Sequence, residues 1–269
     1  MPKPCRTSWW RFPPQTREVQ CDEKGAFVGT KEKHCDPADP GDAEQGDQGD
    51  QVALDPEHRL VVRVVAGKRT AENVEKVVDD FKARTGGRLR HLITSDEYRA
   101  YPPAILNAYG TEGVPPRTGK PGRPKAPHKV APPERQYATV HKTREKGRSV
   151  KVSLRVVFGT VVGVLAALAQ SIVSKAINTA FVERQNGTDR NRNARKVRKS
   201  SCFSKNWGVH QAVTYFTMYS YNFCWPVRTL RVRAANGDWQ PRTPAMAAGL
   251  ADHIWALSEW LTFPGVQRK

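Results

Sequence analysis

The feature that most restricts this chain is a change of apolar period in its first third. Between residues 18 and 109 the apolar side chains recur first every two residues and then every three to four, so extended segments come first and helical ones follow. Glu18–Val28 (EVQCDEKGAFV) reads as a strand. Gln51–Leu54 and Arg59–Val65 read as two more, joined by a turn over Asp55, Pro56, Glu57 and His58. Thr70 opens a helix whose Val74, Val77, Val78 and Phe81 share one face, and Gly86-Gly87 closes it. Residues 89–94 give a fourth strand closed by Ser95-Asp96, and a short helix follows over Pro103–Tyr109. A meander followed by a crossover predicts a mixed α/β fold.

The rest of the chain divides by composition. Residues 36–50 are an acidic, turn-rich loop, and residues 112–136 hold seven prolines among many Lys and Arg, the signature of a linker or extended arm. Alternation returns over 137–158 as a hairpin turning at Lys146-Gly147. Val156–Val173 is uncharged over 18 residues, close to the ~20 that a membrane-spanning helix needs. Its first half, however, is β-branched and continues the alternation of Val150, Val152 and Leu154, and Phe158-Gly159-Thr160 breaks it. A buried strand followed by a buried helix is the preferred reading over a membrane span.

A polar, basic helix is expected over Ile177–Lys199. An apolar helix follows over Trp207–Trp225, buried through Val209, Val213, Phe216, Tyr219 and Phe223. Asn236-Gly237 marks a tight turn, and the last helix runs from Thr243-Pro244 through Met246, Leu250, Ile254, Leu257 and Leu261. The implied organisation is a leader (1–17), a first core segment (18–111), a basic Pro-rich insertion (112–150), a second core segment (151–225) and a C-terminal hairpin and helix (226–269).

Charge narrows the function class. Lys and Arg number 44 against 26 Asp and Glu, a net of +18, and mean hydropathy is -0.63. These values exclude a polytopic membrane protein, while seven Trp, seven Tyr and nine Phe argue against wholesale disorder. A surplus this large points to a polyanionic partner, nucleic acid before anionic membrane. It is also segregated: residues 22–57 carry a net of -8, residues 111–155 a net of +9 and residues 184–205 a net of +7. The five cysteines form no CxxC pair, and His34-Cys35 has no second pair, so neither a disulfide framework nor a structural zinc site is expected and a reducing cytosol fits. The opening MPKPCRTSWWRFPP has no apolar core of a secretory signal.

Basic surface beside carboxylates on rigid elements suits metal-assisted phosphoryl transfer, in which acids converge on hard divalent cations. Asp22 is mid-strand, Asp96 ends an apolar strand where ligands bind in open α/β sheets, and Glu183 begins the basic helix. On that helix Glu183, Asn186, Gly187 and Arg190 share a face. A lone Asp at a strand end is commonly a turn or cap residue, and a Glu beside Arg is commonly a solvated pair. Spacing alone does not choose these acids over Asp55, Asp79 or Glu97.

Several blocks together carry a family resemblance: DEKGAFVGTKEKHCDPADP, DPEHRLVVRVVAGKRTAENVE, LITSDEYRAY, PPRTGKPGRPK, YATVHKTREKGR, INTAFVERQNGTDRNRNARKVRKSS and AVTYFTMYSYNFCWP. The chain resembles a DDE transposase of the insertion-sequence-one family, in a branch with an extended catalytic domain, over roughly residues 18–260. The resemblance implies an α/β, ribonuclease-H-like mixed sheet with flanking helices and the basic Pro-rich insertion. It implies that Asp22, Asp96 and Glu183 are the catalytic triad and hold two Mg²⁺, with Mn²⁺ as a substitute. Cleavage of DNA at element ends would be followed by attack of the freed 3′-hydroxyl on target DNA.

Arg184, Asn186, Arg190, Arg192, Arg195, Lys196, Arg198 and Lys199, with Lys120, Arg123 and Lys125 of the insertion, would contact DNA. The implied partners are DNA and further copies of the chain, with no membrane, in the cytoplasm at the nucleoid. Gly25 stands where the family tends to have Trp, and the family's N-terminal zinc-binding and helix-turn-helix region is expected to be missing here. The alternatives are a non-catalytic DNA-binding remnant and a related ribonuclease-H-like nuclease that hydrolyses without strand transfer.

Overall fold

A computed structural model describes residues 16–36, 38–88, 92–113, 128–145, 148–197 and 199–263. The elements in chain order are β1 (Glu18–Val28), β2 (Gly46–Asp55), β3 (Leu60–Val65), α1 (Ala71–Arg84), β4 (Leu92–Asp96), α2 (Tyr101–Tyr109), β5 (Thr111–Gly113) and β6 (His128–Val130). They continue with β7 (Tyr137–Glu145), β8 (Arg148–Phe158), α3 (Val161–Gln170), α4 (Ala180–Arg192), α5 (Trp207–Cys224), β9 (Val232–Arg233), β10 (Trp239–Gln240), α6 (Pro244–Ala247) and α7 (Leu257–Thr262). The protein is mixed α/β: six strands form one sheet in the order β3-β2-β1-β4-β7-β8. The first three are antiparallel, β4 and β7 run parallel to β1, and β8 returns antiparallel to β7.

Strand alternation, shifted once on β3 by a register slip against β2 at Ala53/Leu54, sends side chains to opposite faces of this sheet. One set (Val19, Cys21, Ala53, Leu60, Val62) packs against the apolar stripe of α1, Val74, Val77, Val78 and Phe81, and against Tyr101, Ala104 and Ile105 of α2. The other (Val52, Leu54, Val61, Val64) packs against Val182 of α4 and Met218 and Tyr221 of α5. Thr70 caps α1 by accepting from the Asn73 N–H at 3.3 Å, and positive φ at Gly86 (64°) and Gly87 (69°) ends it. The exposed edge of β3 is closed by the buried Asn222 side chain. Its Oδ1 accepts from the Val61 N–H at 3.0 Å and its Nδ2 donates to the Val61 carbonyl at 2.8 Å.

The polar residues of β1 position α4. Gln20 Oε1 accepts from the N–H groups of Phe181 and Val182 at 3.0 and 3.1 Å, satisfying two donors at the start of the helix. Asp22 accepts from Asn186 at 2.9 Å, and buried Lys24 pairs with buried Asp189. Lys24 lies opposite Asp50 on β2, which is itself ion-paired to buried Lys196 and accepts from His210 at 3.2 Å. Ser204 completes the chain with a 3.0 Å bond to the other His210 nitrogen.

Several sequence expectations change. β2 begins at Gly46, inside the expected loop 36–50, because the acid at position 50 is satisfied by Lys196 and His210 rather than by water. The hairpin expected over 137–158 is β7 and β8, its turn at Lys146-Gly147 lying outside the described residues, and it joins the main sheet, so the sheet resumes at Tyr137 within the segment 112–150 assigned to the insertion. The uncharged stretch is split by Gly159 (φ 84°) into β8 and α3, and among the described residues no helix is long and apolar enough to cross a membrane. It is not wholly buried: α3 packs through Val164, Ala167 and Leu168, while Val161 and Val162 in its first turn are 62% and 76% exposed.

The basic helix stops at Arg192 instead of reaching Lys199. On α5 Phe223 is buried as expected, but the rest of the buried face is His210, Thr214, Met218 and Tyr221, whereas Val209 and Phe216 are exposed; buried hydrogen bonding outweighs hydropathy there. The expected last helix breaks at Gly249 (φ 70°) into the short α6 and α7.

Replacing Lys24 by Met leaves the Asp189 charge buried without its partner and should cost about 3–5 kcal/mol, whereas Lys24→Met with Asp189→Leu should recover most of that loss. Urea unfolding of the single and double variants checks this; equal destabilisation in both would contradict it.

Candidate metal and nucleic-acid site

β4 stops one residue past its pairing of Ser95 with Cys21, while β1 runs on, so the carboxyl ends of the parallel strands open a notch between β1 and β7. An open cleft of about 670 Å³ lies there, lined by Asp22 and Glu23 from β1, Asp96 from β4, Lys142 from β7, and Glu183, Asn186 and Arg190 from α4. Carboxylate oxygens of Asp22, Glu23 and Asp96 all lie within 4.8 Å of one another. Arg69, from the turn between β3 and α1, pairs with Glu23 and reaches Asp96 at 3.5 Å, with its guanidinium stacked 4.0 Å over Tyr98. Glu183 sits on the far wall, ion-paired to Lys142 and accepting from the Thr179 hydroxyl at 2.6 Å.

The acids perturb one another. Burial, then the Asp96 and Glu183 charges, push Asp22 up to about 6 against the Asn186 hydrogen bond. Burial, then Asp96, push Glu23 up to about 8, with Arg69 opposing. Asp96 is raised as well, by burial first, with the Tyr98 N–H and Arg69 opposing and Glu183 adding to it. Such an arrangement can hold a cation: it concentrates hard oxygen donors whose mutual repulsion a divalent ion would relieve.

Asp22, Asp96, Glu183, Asn186 and Arg190 therefore meet in one cleft, although they come from three separate parts of the chain. The remaining candidates disperse. Arg184 is exposed on α4, and Arg192 turns away to stack 3.8 Å over Trp225. Arg195 and Lys199 line a second cleft. Lys196 is 3% exposed and tied to Asp50, which corrects its assignment as a DNA contact: its charge is spent inside the protein. Lys120, Arg123, Lys125 and Arg198 lie outside the described residues.

Glu23, Arg69 and Lys142 were not foreseen. Glu23 follows Asp22, and alternation would send it to the opposite face; only the early end of β4 lets both acids lean into the same notch. Arg69 and Lys142 carry no local signal among 44 basic residues.

The raised acids have a stability consequence. Unfolded carboxyls titrate near about 4, so between about pH 4 and 8 the folded state retains protons that the unfolded chain has released. Their contribution to stability is thus present at low pH and is lost as pH rises through the folded values. Asp22→Asn should be more stable than the parent at pH 8, by on the order of 1–3 kcal/mol, and gain little at pH 4. Urea unfolding at both pH values in metal-free buffer checks this, and no gain at pH 8 would contradict it. The chain matches no protein-family model and no curated protein.

Proposed function

We propose that the protein is a metal-dependent phosphoryl-transfer enzyme acting on DNA, and specifically a DDE-type transposase resembling the insertion-sequence-one family. One observation carries this reading: Asp22 on the first strand, Asp96 at the end of the fourth and Glu183 on a later helix line a single cleft. Those are the positions the family resemblance assigns to the triad. A mixed sheet built from a three-strand meander, followed by parallel strands and flanked by helices, supports the ribonuclease-H-like reading.

The donor set fits a hard divalent ion, since Asp22, Glu23 and Asp96 already offer oxygens within 4.8 Å. Asp22 and Asp96, with Glu183 across the cleft, would hold Mg²⁺ or Mn²⁺, which when bound supplies Lewis-acid activation of water or a 3′-hydroxyl and stabilises the leaving oxygen. The protein's own residues do the rest. Asn186 donates to Asp22 and orients its carboxylate. Lys142 pairs with Glu183, and Arg69 with Glu23, on opposite walls of the cleft. Arg190, one turn past Asn186 and on the cleft wall, is positioned to take a phosphate oxygen. Cutting two element ends together calls for more than one copy of the chain.

The test is nicking of supercoiled plasmid and joining of a donor oligonucleotide to it, in Mg²⁺ or Mn²⁺. Divalent-dependent nicking is expected, reduced at least a hundredfold in Asp22→Asn, Asp96→Asn and Glu183→Gln. Nicking without joined products favours the hydrolytic nuclease. Nicking that all three variants retain would overturn the assignment.

A further inference from the structure

Beyond Asp22 the edge of β1 that faced β4 has no strand partner among the described residues, until Val28 bridges to Ser204. A second cleft of about 710 Å³ opens further along this strand. Its floor includes Gly25 and Ala26, and a side chain added at Gly25 would meet nothing within 4 Å, so the floor is open. Its walls combine two aromatic rings with cations and one carboxylate, Asp47, which lies 4.0 Å from Lys31, both side chains being exposed. Phe27 and Phe203 form a tilted pair with centroids 4.5 Å apart. Lys31 lies 4.8 Å over the Phe27 ring and Lys205 lies 2.8 Å over the Phe203 ring. Arg195 and exposed Lys199 stand on the rim.

Aromatic faces interleaved with flexible cations are what unpaired nucleobases and their phosphates require. Every base has a π face to stack, and the lysines that cover the rings can move to the flanking phosphates. A duplex hides its base faces, so the rings would contribute nothing to binding it. We infer that the Phe27–Phe203 cleft is a binding site for single-stranded nucleic acid, which holds unpaired bases by stacking and their phosphates through Lys31, Arg195, Lys199 and Lys205. Phe27 lies five positions beyond Asp22 on β1, about 16 Å of extended chain, so a strand seated here can continue into the carboxylate cleft within a few nucleotides. The inference rests on nucleic acid being the partner, but not on the phosphoryl-transfer chemistry.

Fluorescence anisotropy of the full chain with a labelled ten-nucleotide oligo-dA, measured without divalent metal, tests it. The controls are the same backbone with abasic sites, a matched duplex, and free dAMP as competitor. Phe27→Leu/Phe203→Leu keeps apolar bulk but removes both π faces. The parent should bind oligo-dA five- to a hundredfold more tightly than the abasic strand, and the double variant should lose that difference while keeping its duplex affinity and its circular-dichroism spectrum. Arg195→Gln/Lys199→Gln should weaken oligo-dA and the abasic strand alike and flatten their salt dependence.

Equal affinity for oligo-dA and the abasic strand would overturn the inference, as would a double variant that binds oligo-dA like the parent. Displacement of the strand by dAMP at comparable concentration would identify a mononucleotide pocket and overturn it too. Base-dependent binding with no divalent-dependent nicking would remove the catalytic reading and leave this one standing.

Discussion

Everything at the carboxylate cleft depends on a buried, charge-balanced seam between β1 and α4. Lys24 pairs with Asp189 and Lys196 with Asp50, all four side chains are almost completely excluded from water, and the two pairs meet across the β1–β2 ladder. Burial alone would raise the Asp50 carboxyl; the Lys196 ammonium, the His210 hydrogen bond and Lys24 instead hold it well below the usual carboxylate range. Two lysines and two aspartates cancel, so the seam is tolerable only when complete. Its geometry sets register. Gln20, Asp22 and Lys24 advance about 6.6 Å per step along the strand, while their partners Val182, Asn186 and Asp189 advance about 4.5–6 Å per step along the helix. The helix therefore lies along the strand, and a slip by one residue breaks all three contacts. The same register brings Glu183 and Arg190 to the cleft.

The acids of the cleft are managed differently from those of the seam. Asp50 and Asp189 are balanced by fixed internal cations. Asp22, Glu23 and Asp96 crowd together in partial contact with water and remain prone to protonation, with Arg69 and Lys142 as the local counter-charges on two sides. Both counter-charges sit on side chains that are 49% and 29% exposed, so they can swing aside for a more concentrated positive charge. The division also refines the charge segregation of the sequence. Part of the basic block at 184–205 is internal, because Lys196 neutralises Asp50, and Arg192 is spent on Trp225 and Tyr221.

Periodicity made the sheet-forming half legible. The bounds of β1 and β3, the cap at Thr70 and the glycine stop of α1 follow from local patterns that tertiary packing reinforces. What failed was burial driven by pairing rather than hydropathy. Asp50 and Lys196 read as loop and surface but are core, and His210, Thr214 and Asn222 form the buried face of α5 that apolar counting gave to Val209 and Phe216. The last helix failed because helical spacing of apolar residues continues through Gly249, where the backbone turns left-handed. At the cleft, Asp22, Asp96 and Glu183 became distinguishable from other acids through the family resemblance and not through spacing. Glu23 was invisible because its approach depends on where a neighbouring strand ends.

The central claim is that acids far apart in sequence make one divalent-cation site. Isothermal titration of Mn²⁺ into the full metal-free chain at pH 8 tests it most directly, since binding is read without DNA or turnover. The account predicts saturable binding that weakens at least tenfold in Asp22→Asn and in Asp96→Asn and falls less in Glu183→Gln, while Lys142→Gln, which removes the cation paired with Glu183, does not weaken it. Mn²⁺ affinity unchanged in both aspartate variants would contradict it.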